Sequence, residues 1–236
     1  MIKTAMVMAA GHGTRMRPLT NDRSKAMVEV GGKPLIDHML DRLAEVGVQR
    51  AVVNVHAHAD HLEAHLKTRK NGPKIIISDE REELLETGGG VVKALPLLGS
   101  DPIFICNIDA IWHSFESVLE KLITQWSPLK MDELLLCARA DWSLGYAGKG
   151  DFNIHNDARL TRRDGESAKY VYAGVQIFKP ALAKPFKVER FSRNKIWDET
   201  LKRRKLFGIE LPGYWMHVGD PRAVIAAEAV LKEANG

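Results

Sequence analysis

The chain reads as an α/β protein: a Rossmann-like, mostly parallel sheet with helices on both faces, followed by a smaller mixed portion. Three observations predict this. Short apolar runs alternate with helix-length amphipathic segments through the first half. A glycine-rich loop follows directly on the first apolar run, and Asp109 follows a later one. In open parallel sheets, such loops gather at the carboxyl ends of the strands.

Residues 4–9 form the first strand. Residues 35–46 place Leu35, Ile36, Met39, Leu40, Leu43 and Val46 at a helical period, and Gly47 stops the helix. Residues 51–55 read as a strand, 60–67 as a helix, 74–77 as a strand and 90–98 as a helix. Residues 103–106 make a short buried strand, 113–125 a helix and 133–138 a strand. This alternation demands crossover connections, and so a parallel sheet. Further on, residues 151–154 and 170–178 read as strands separated by turn-rich sequence with Asn156-Asp157 and Asp164-Gly165. Residues 197–204 read as a helix, 206–210 as a strand, and 221–234 as a helix with Pro221 in its first turn. No Pro/Gly/Ser-rich linker or repeat interrupts the chain, so one domain over residues 1–236 is expected.

At 236 residues the chain is near the upper size for one hydrophobic core. Its 45% apolar and 27% charged content is that of a soluble globular protein. Cys106 and Cys137 lie in apolar runs and read as reduced core residues of a cytoplasmic protein. No run nears the roughly 18 apolar residues of a membrane span, and the run after Lys3 is too short for a signal peptide. A formal charge of +4 suits anionic small molecules and is too weak to argue for nucleic acid. The cluster Lys202-Arg203-Arg204-Lys205 spreads around a helix end and reads as solvated. His56, His58, His61 and His65 have no neighbouring cysteine or second ligand pair, so they read as a solvated helix face rather than a zinc site.

The loop Gly11-His12-Gly13-Thr14-Arg15-Met16-Arg17-Pro18, with Lys25 beyond it, is a pattern for holding phosphate. Gly11 and Gly13 let the backbone turn sharply and bring N–H groups to an anion. The arginines add planar, permanently charged donors. A Walker loop ends in Gly-Lys-Ser/Thr, where this loop has Thr14-Arg15. A dinucleotide fingerprint needs a third glycine where Met16 stands, which disfavours a dehydrogenase. Asp109 offers hard oxygens to magnesium, which takes one or two carboxylates plus phosphate oxygens. Glu86-Thr87-Gly88-Gly89-Gly90 precedes a helix, and its bare backbone would let a flat base approach.

Gly11-x-Gly13-Thr14-Arg15-x-x-Pro18-x-Thr20 followed by Lys25 resembles the signature of the sugar-1-phosphate nucleotidylyltransferases. The resemblance covers nearly the whole chain, most strongly residues 1–110. It implies a glycosyltransferase-A-like nucleotidyltransferase fold, with a nucleotide-binding half (1–140) and a sugar-phosphate-binding half (141–236). It implies transfer of a nucleotidyl group from a nucleoside triphosphate to a sugar-1-phosphate, with Mg2+, or Mn2+, as cofactor. Arg15, Lys25 and Asp109 would carry the chemistry. Ala9, Ala10, Gly11, Gly13, Thr14, Arg15, Glu86, Thr87, Gly88, Gly89 and Asn107 would hold the nucleotide. Gly150, Asp151, Gly174 and Glu199 would serve the sugar.

Three stretches depart from the family pattern, the first being Ile108-Asp109 where the family usually reads Gly-Asp. Ser24-Lys25-Ala26-Met27 keeps the lysine without its proline neighbours. In Trp215-Met216-His217-Val218-Gly219-Asp220, His217 holds the place of the second metal carboxylate and Asp220 that of a threonine. Three readings are open: His217 binds the metal or a phosphate, Asp220 replaces the carboxylate, or Asp109 acts with nucleotide oxygens alone. Asp220 also precedes Pro221 and suits a helix N-cap. The Glu86-Thr87-Gly88-Gly89-Gly90 run and Gly148-Lys149-Gly150-Asp151-Phe152 resemble the N-acetylmuramate-1-phosphate uridylyltransferases of cell-wall recycling, which points to UTP. The alternatives are another substrate, such as mannose- or another hexose-1-phosphate or phosphocholine, and a nucleotide-sugar sensor without turnover.

Overall fold

The computed structural model describes residues 1–114 and 116–234. β1 (Thr4–Met8) leads into the glycine-rich loop, and β2 (Glu29–Val30) and β3 (Lys33–Pro34) form a small hairpin before α1 (Leu35–Glu45). Next come β4 (Arg50–Val55), α2 (Ala59–Thr68), β5 (Lys74–Asp79), α3 (Glu86–Leu98) and β6 (Ile103–Asn107). β7 (Ala110–His113), α4 (Val118–Gln125), β8 (Glu133–Arg139) and β9 (Ser143–Leu144) follow. The chain continues with β10 (Phe152–Ile154), β11 (Leu160–Arg162), β12 (Tyr170–Phe178), α5 (Asn194–Lys202), β13 (Leu206–Glu210), β14 (Tyr214–His217) and α6 (Pro221–Ala234).

β1 lies at the centre of the main sheet. It pairs in parallel with β4 (Met8 opposite Asn54) and with β6 (Met8 opposite Asn107), and β5 extends the sheet beyond β4. These strands are apolar nearly throughout because helices cover both faces. Alternation then divides their side chains. Ala5 and Val7 join the cluster under α1 and α2, while Met6, Val52 and Ile105 pack with Val91, Ala94 and Leu98 of α3. In α1 the five apolar residues from Leu35 to Leu43 are buried, and Gly47 follows with φ +76°, as the periodicity predicts. Truncating one of them to alanine would cost about 2–5 kcal/mol.

The second half mixes strand directions. β12 runs antiparallel to β6 and to β8, and β13 lies parallel to β8. A bulge between Tyr172 and Gln176 interrupts the pairing of β12 with β8. A separate three-stranded sheet, β7-β14-β9, sits beside the end of β6 and pairs Ala110 with His217.

Three elements differ from expectation. The helix expected over 113–125 starts only at Val118, behind Ser117, whose Oγ accepts the Glu120 N–H at 3.4 Å. Its expected first residue, His113, closes β7, because Trp112 and Ile111 pair with β14; position 115 lies outside the described residues. α3 begins at Glu86 rather than 90, so the glycine run lies inside the helix. α5 opens at Asn194, earlier than the expected 197.

Candidate active site

The carboxyl ends of β1, β4 and β6 open on a cavity of 460 Å³. Ala9, Ala10, Gly11, Gly13, Thr14, Arg15 and Lys25 line it from the glycine-rich segment. Asn107 and Asp109 line it from the end of β6, and Glu86 and Thr87 from the start of α3. Those eleven residues of the sequence expectation therefore share one cleft.

Local packing fixes the loop. Gly13 takes φ +65°, and a Cβ on it would stand 3.0 Å from Lys25 Cβ and 3.1 Å from Thr20 Cγ2. The Gly13 carbonyl accepts the Thr20 hydroxyl at 2.8 Å and the Met16 N–H at 2.9 Å. Met16 is fully buried and anchors the turn, while its neighbour Arg15 stays exposed at the cavity.

Lys25 reaches across to the carboxylate. Its Nζ donates to Asp109 Oδ2 at 2.6 Å, with both side chains largely buried. His217 Nε2 stands 3.4 Å from the same oxygen, and Val218 N–H donates to the Asp109 carbonyl at 2.9 Å. Burial alone would raise the Asp109 carboxyl. The Lys25 charge and the contacts with His217 and Lys25 outweigh it, and hold the acid well below the usual carboxylate range. Asp109 is thus ionised throughout the neutral range. His217 is held in place by stacking on Trp215 at 5.6 Å and by a 3.3 Å contact of Nδ1 with the Gly145 carbonyl. Asp220 caps α6 instead: its Oδ1 accepts the Ala223 N–H at 2.9 Å.

The donor set bears on the metal. Among the described residues no group of three or more His, Cys, Asp or Glu side chains could hold an ion unaided. One carboxylate beside a phosphate-binding loop fits Mg2+ or Mn2+, which take most of their oxygens from water and substrate. An imidazole as second ligand suits the softer ions better.

The site rests on a buried pair that the sequence reading missed. Ala9 N–H donates to Asn54 Oδ1 at 2.7 Å, and Asn54 Nδ2 donates to Glu80 Oε1 at 2.8 Å. Leu85 N–H donates to Glu80 Oε2 at 3.1 Å. Burial raises the Glu80 carboxyl, against the pull of these bonds. The available signal was a lone asparagine inside the apolar strand Val52-Val53-Asn54-Val55.

The glycine run makes packing contacts that the sequence did not signal. Gly88 and Gly89 do not line the cavity, and both their N–H groups donate to the Phe191 carbonyl, at 2.8 and 3.3 Å. A Cβ on Gly88 would enter the Phe191 ring, and one on Gly89 would strike the Glu189 carbonyl. A Cβ on Gly90 would come within 2.7 Å of Glu80 Oε1. The run therefore seats segment 189–193 on one side and the Asn54–Glu80 pair on the other. Glu86, at φ +61°, pairs with Arg190 Nε at 2.8 Å across this junction.

The residues expected at the sugar scatter more widely. Gly174, at φ +86°, sits in the β12 bulge; a Cβ there would stand 2.6 Å from Ala110 Cβ and 3.4 Å from Asn107 Cβ. It lets β12 close against the cavity wall. Gly150, at φ +75°, packs on the Ala168 carbonyl and donates its N–H to Tyr146 Oη at 2.9 Å. Asp151 Oδ2 accepts the Tyr172 N–H at 3.0 Å. Neither Gly150 nor Asp151 is among the cavity's lining residues. Glu199 is exposed on α5, paired with Lys202 at 2.7 Å, and stands outside the cavity. Cys106 and Cys137 are buried and free, and among the described residues no helix is long and apolar enough to cross a membrane.

The comparisons with known proteins agree with this geometry. The Nucleotidyl transferase family matches residues 4–142. Over 98% of its length the chain is 50% identical to an N-acetylmuramate alpha-1-phosphate uridylyltransferase of Caulobacter vibrioides, and it covers 98% of that protein. A mannose-1-phosphate guanylyltransferase catalytic subunit beta of Drosophila melanogaster is 26% identical over 92% of the chain, which spans 60% of that relative. A solved UDP-glucose pyrophosphorylase holding UDP-glucose shares the fold, with a TM-score of 0.81 at 18% identity over 99% of this chain and all of the other. The chain belongs to the nucleotidyl transferase family, as a sugar-1-phosphate nucleotidylyltransferase of the EC 2.7.7 class. Members of this family work with a divalent metal ion.

Proposed function

We propose that the chain transfers the uridylyl group of UTP to N-acetylmuramate-1-phosphate, giving the UDP-sugar and pyrophosphate. The observation that carries the reaction class is the Lys25–Asp109 pair, 2.6 Å apart within the cavity that the glycine-rich loop lines. The substrates rest on the 50% identical relative, matched over nearly the full length of both chains.

An oxygen of the sugar phosphate attacks the α-phosphorus, and the bond from that phosphorus to the bridging oxygen of the β-phosphate breaks. The attacking phosphate is already ionised, so no protein nucleophile is needed. The protein's task is to bring two polyanions together and neutralise their charge. The loop N–H groups and Arg15 hold the triphosphate and the departing pyrophosphate. Lys25 supplies positive charge at the reacting centre. Asp109, with His217 beside it, would hold Mg2+ (or Mn2+) together with the phosphates, where the ion would screen their mutual repulsion.

Residues 1–140 serve as the nucleotide half and 141–236 as the sugar half of one domain, with Gly174 and Asp151 on the sugar side. Reduced cysteines and the substrate fit a cytoplasmic enzyme of cell-wall recycling. Arg15, Lys25 and Asp109 all stand at the cavity, which favours turnover over a sensing role.

Pyrophosphate release tests the proposal. UTP with N-acetylmuramate-1-phosphate should outpace GTP with mannose-1-phosphate, and a chelator should stop the reaction until Mg2+ or Mn2+ is restored. Faster turnover of the guanylyl pair, or activity indifferent to chelation, would overturn it.

A further inference from the structure

Arg193 is only 3% exposed, yet its Nε and Nη1 have no hydrogen-bond partner. No carboxylate lies within ion-pair distance of it among the described residues. Glu133 is near enough to feel its charge, but both oxygens of Glu133 are taken, one by Gln176 and one by Thr200. The guanidinium instead packs against the edge-to-face pair of Tyr172 and Trp197, whose ring centroids are 4.9 Å apart, with Cζ 5.1 Å from the Tyr172 centroid and 5.0 Å from that of Trp197. The Tyr172 hydroxyl is itself buried, with Arg193 as its near polar neighbour.

Arg193, Tyr172 and Trp197 are not among the lining residues of the active-site cavity, but they stand directly behind residues that are. Arg193 N–H donates to Thr87 Oγ1 at 3.0 Å, and both Thr87 and the preceding Ser192 line the cavity. Asn107, another lining residue, has a buried Oδ1 without a partner. Tyr172 lies two residues before Gly174, the glycine that packs on Asn107. Buried polar groups are nearly always satisfied in folded proteins, and an unpaired buried cation is costly. The unpaired nitrogens of Arg193 call for an anionic acceptor, and the Asn107 Oδ1 for a donor such as a sugar hydroxyl or amide N–H. A guanidinium carries a rigid fork of donors that a carboxylate matches in two bonds.

We propose that Arg193 selects sugar-1-phosphates that carry a carboxylate, pairing with that group while the Tyr172 hydroxyl stands beside it. The inference rests on the substrate reading above: the lactyl ether of N-acetylmuramate ends in a carboxylate that N-acetylglucosamine lacks. The phosphate loop handles what the two sugars share, and Arg193 reads what separates them.

The test is the ratio of kcat/KM for N-acetylmuramate-1-phosphate to that for N-acetylglucosamine-1-phosphate, both with UTP. In Arg193→Met this ratio should fall roughly 30-fold or more, chiefly through KM for the acidic sugar. Arg193→Lys should give an intermediate ratio, since it keeps the charge and loses the fork. In the wild-type enzyme, the methyl ester of the acidic substrate should lose a similar factor. Equal loss on both sugars, or an unchanged ratio, would make Arg193 structural and overturn the inference. If Arg193→Met fails to fold, the lysine variant and the ester decide in the same way. A wild-type enzyme that does not use N-acetylmuramate-1-phosphate at all would instead overturn the substrate reading itself.

Discussion

Replacing Glu133 by glutamine should stabilise the protein at alkaline pH and leave it nearly unchanged in acid. Glu133 opens β8 with no exposed surface. Burial pushes its carboxyl up to about 7, against the hydrogen bonds from Thr200 and Gln176 and the charge of Arg193, which pull it down. In the unfolded chain it titrates near its ordinary 4.5. The folded state therefore binds this proton more tightly. Its contribution is full below about pH 4.5, is lost as pH rises to about 7, and is constant beyond. A span of about 2.5 units, at about 1.36 kcal/mol each, gives about 3 kcal/mol. Glutamine mimics the protonated acid. Thr200 Oγ1, 2.7 Å from Glu133 Oε1, is also 3.1 Å from the Ile196 carbonyl, so it can turn there and accept the new N–H. Gln176 can go on donating to the remaining oxygen. Urea unfolding of both proteins between pH 4 and pH 8 measures the difference, in which all other titrations cancel. It should grow from near zero to about 3 kcal/mol in favour of the variant. A difference that stays flat across that range would refute the argument.

Two further outcomes follow from the site. Arg15→Ala should lower the pyrophosphate-release rate roughly 10³-fold while the melting temperature holds, by analogy with arginines that stabilise phosphoryl-transfer charge; near wild-type turnover would remove Arg15 from the chemistry. Gly89→Ala should cost about 1–3 kcal/mol or more, because its methyl group meets the backbone carbonyl of Glu189 rather than a flexible side chain. Gly11→Ala, which meets nothing within 4 Å, should melt close to wild type, and equal melting of the two variants would deny the glycine run its packing role.

Much of this was legible in the chain. The apolar runs of β1, β4, β5 and β6, and the spacing in α1, follow from periodicity alone. The glycine-rich loop and Asp109 follow strands of one parallel sheet, so they had to share an edge. What the residues concealed depends on distant partners. Glycine is among the poorest helix formers, so a run of three reads as loop. Only the backbone of 189–193, a hundred residues on, explains why α3 begins there. β7 and β14 are four residues each and stabilise one another across a similar gap, so neither signals itself. Glu199 sits in a polar stretch whose spacing gives no sign that α5 turns it outward.

The ladder between β7 and β14 also imposes an order on the molecule's birth. The residues proposed to grip a triphosphate come from the first 110 positions, but His217 reaches Asp109 only when β14 docks on β7. A nascent chain emerging from the ribosome would carry the loop, Lys25 and the acid long before their last companion is synthesised. The approach of His217 to Asp109 is thereby deferred until β14 has been synthesised.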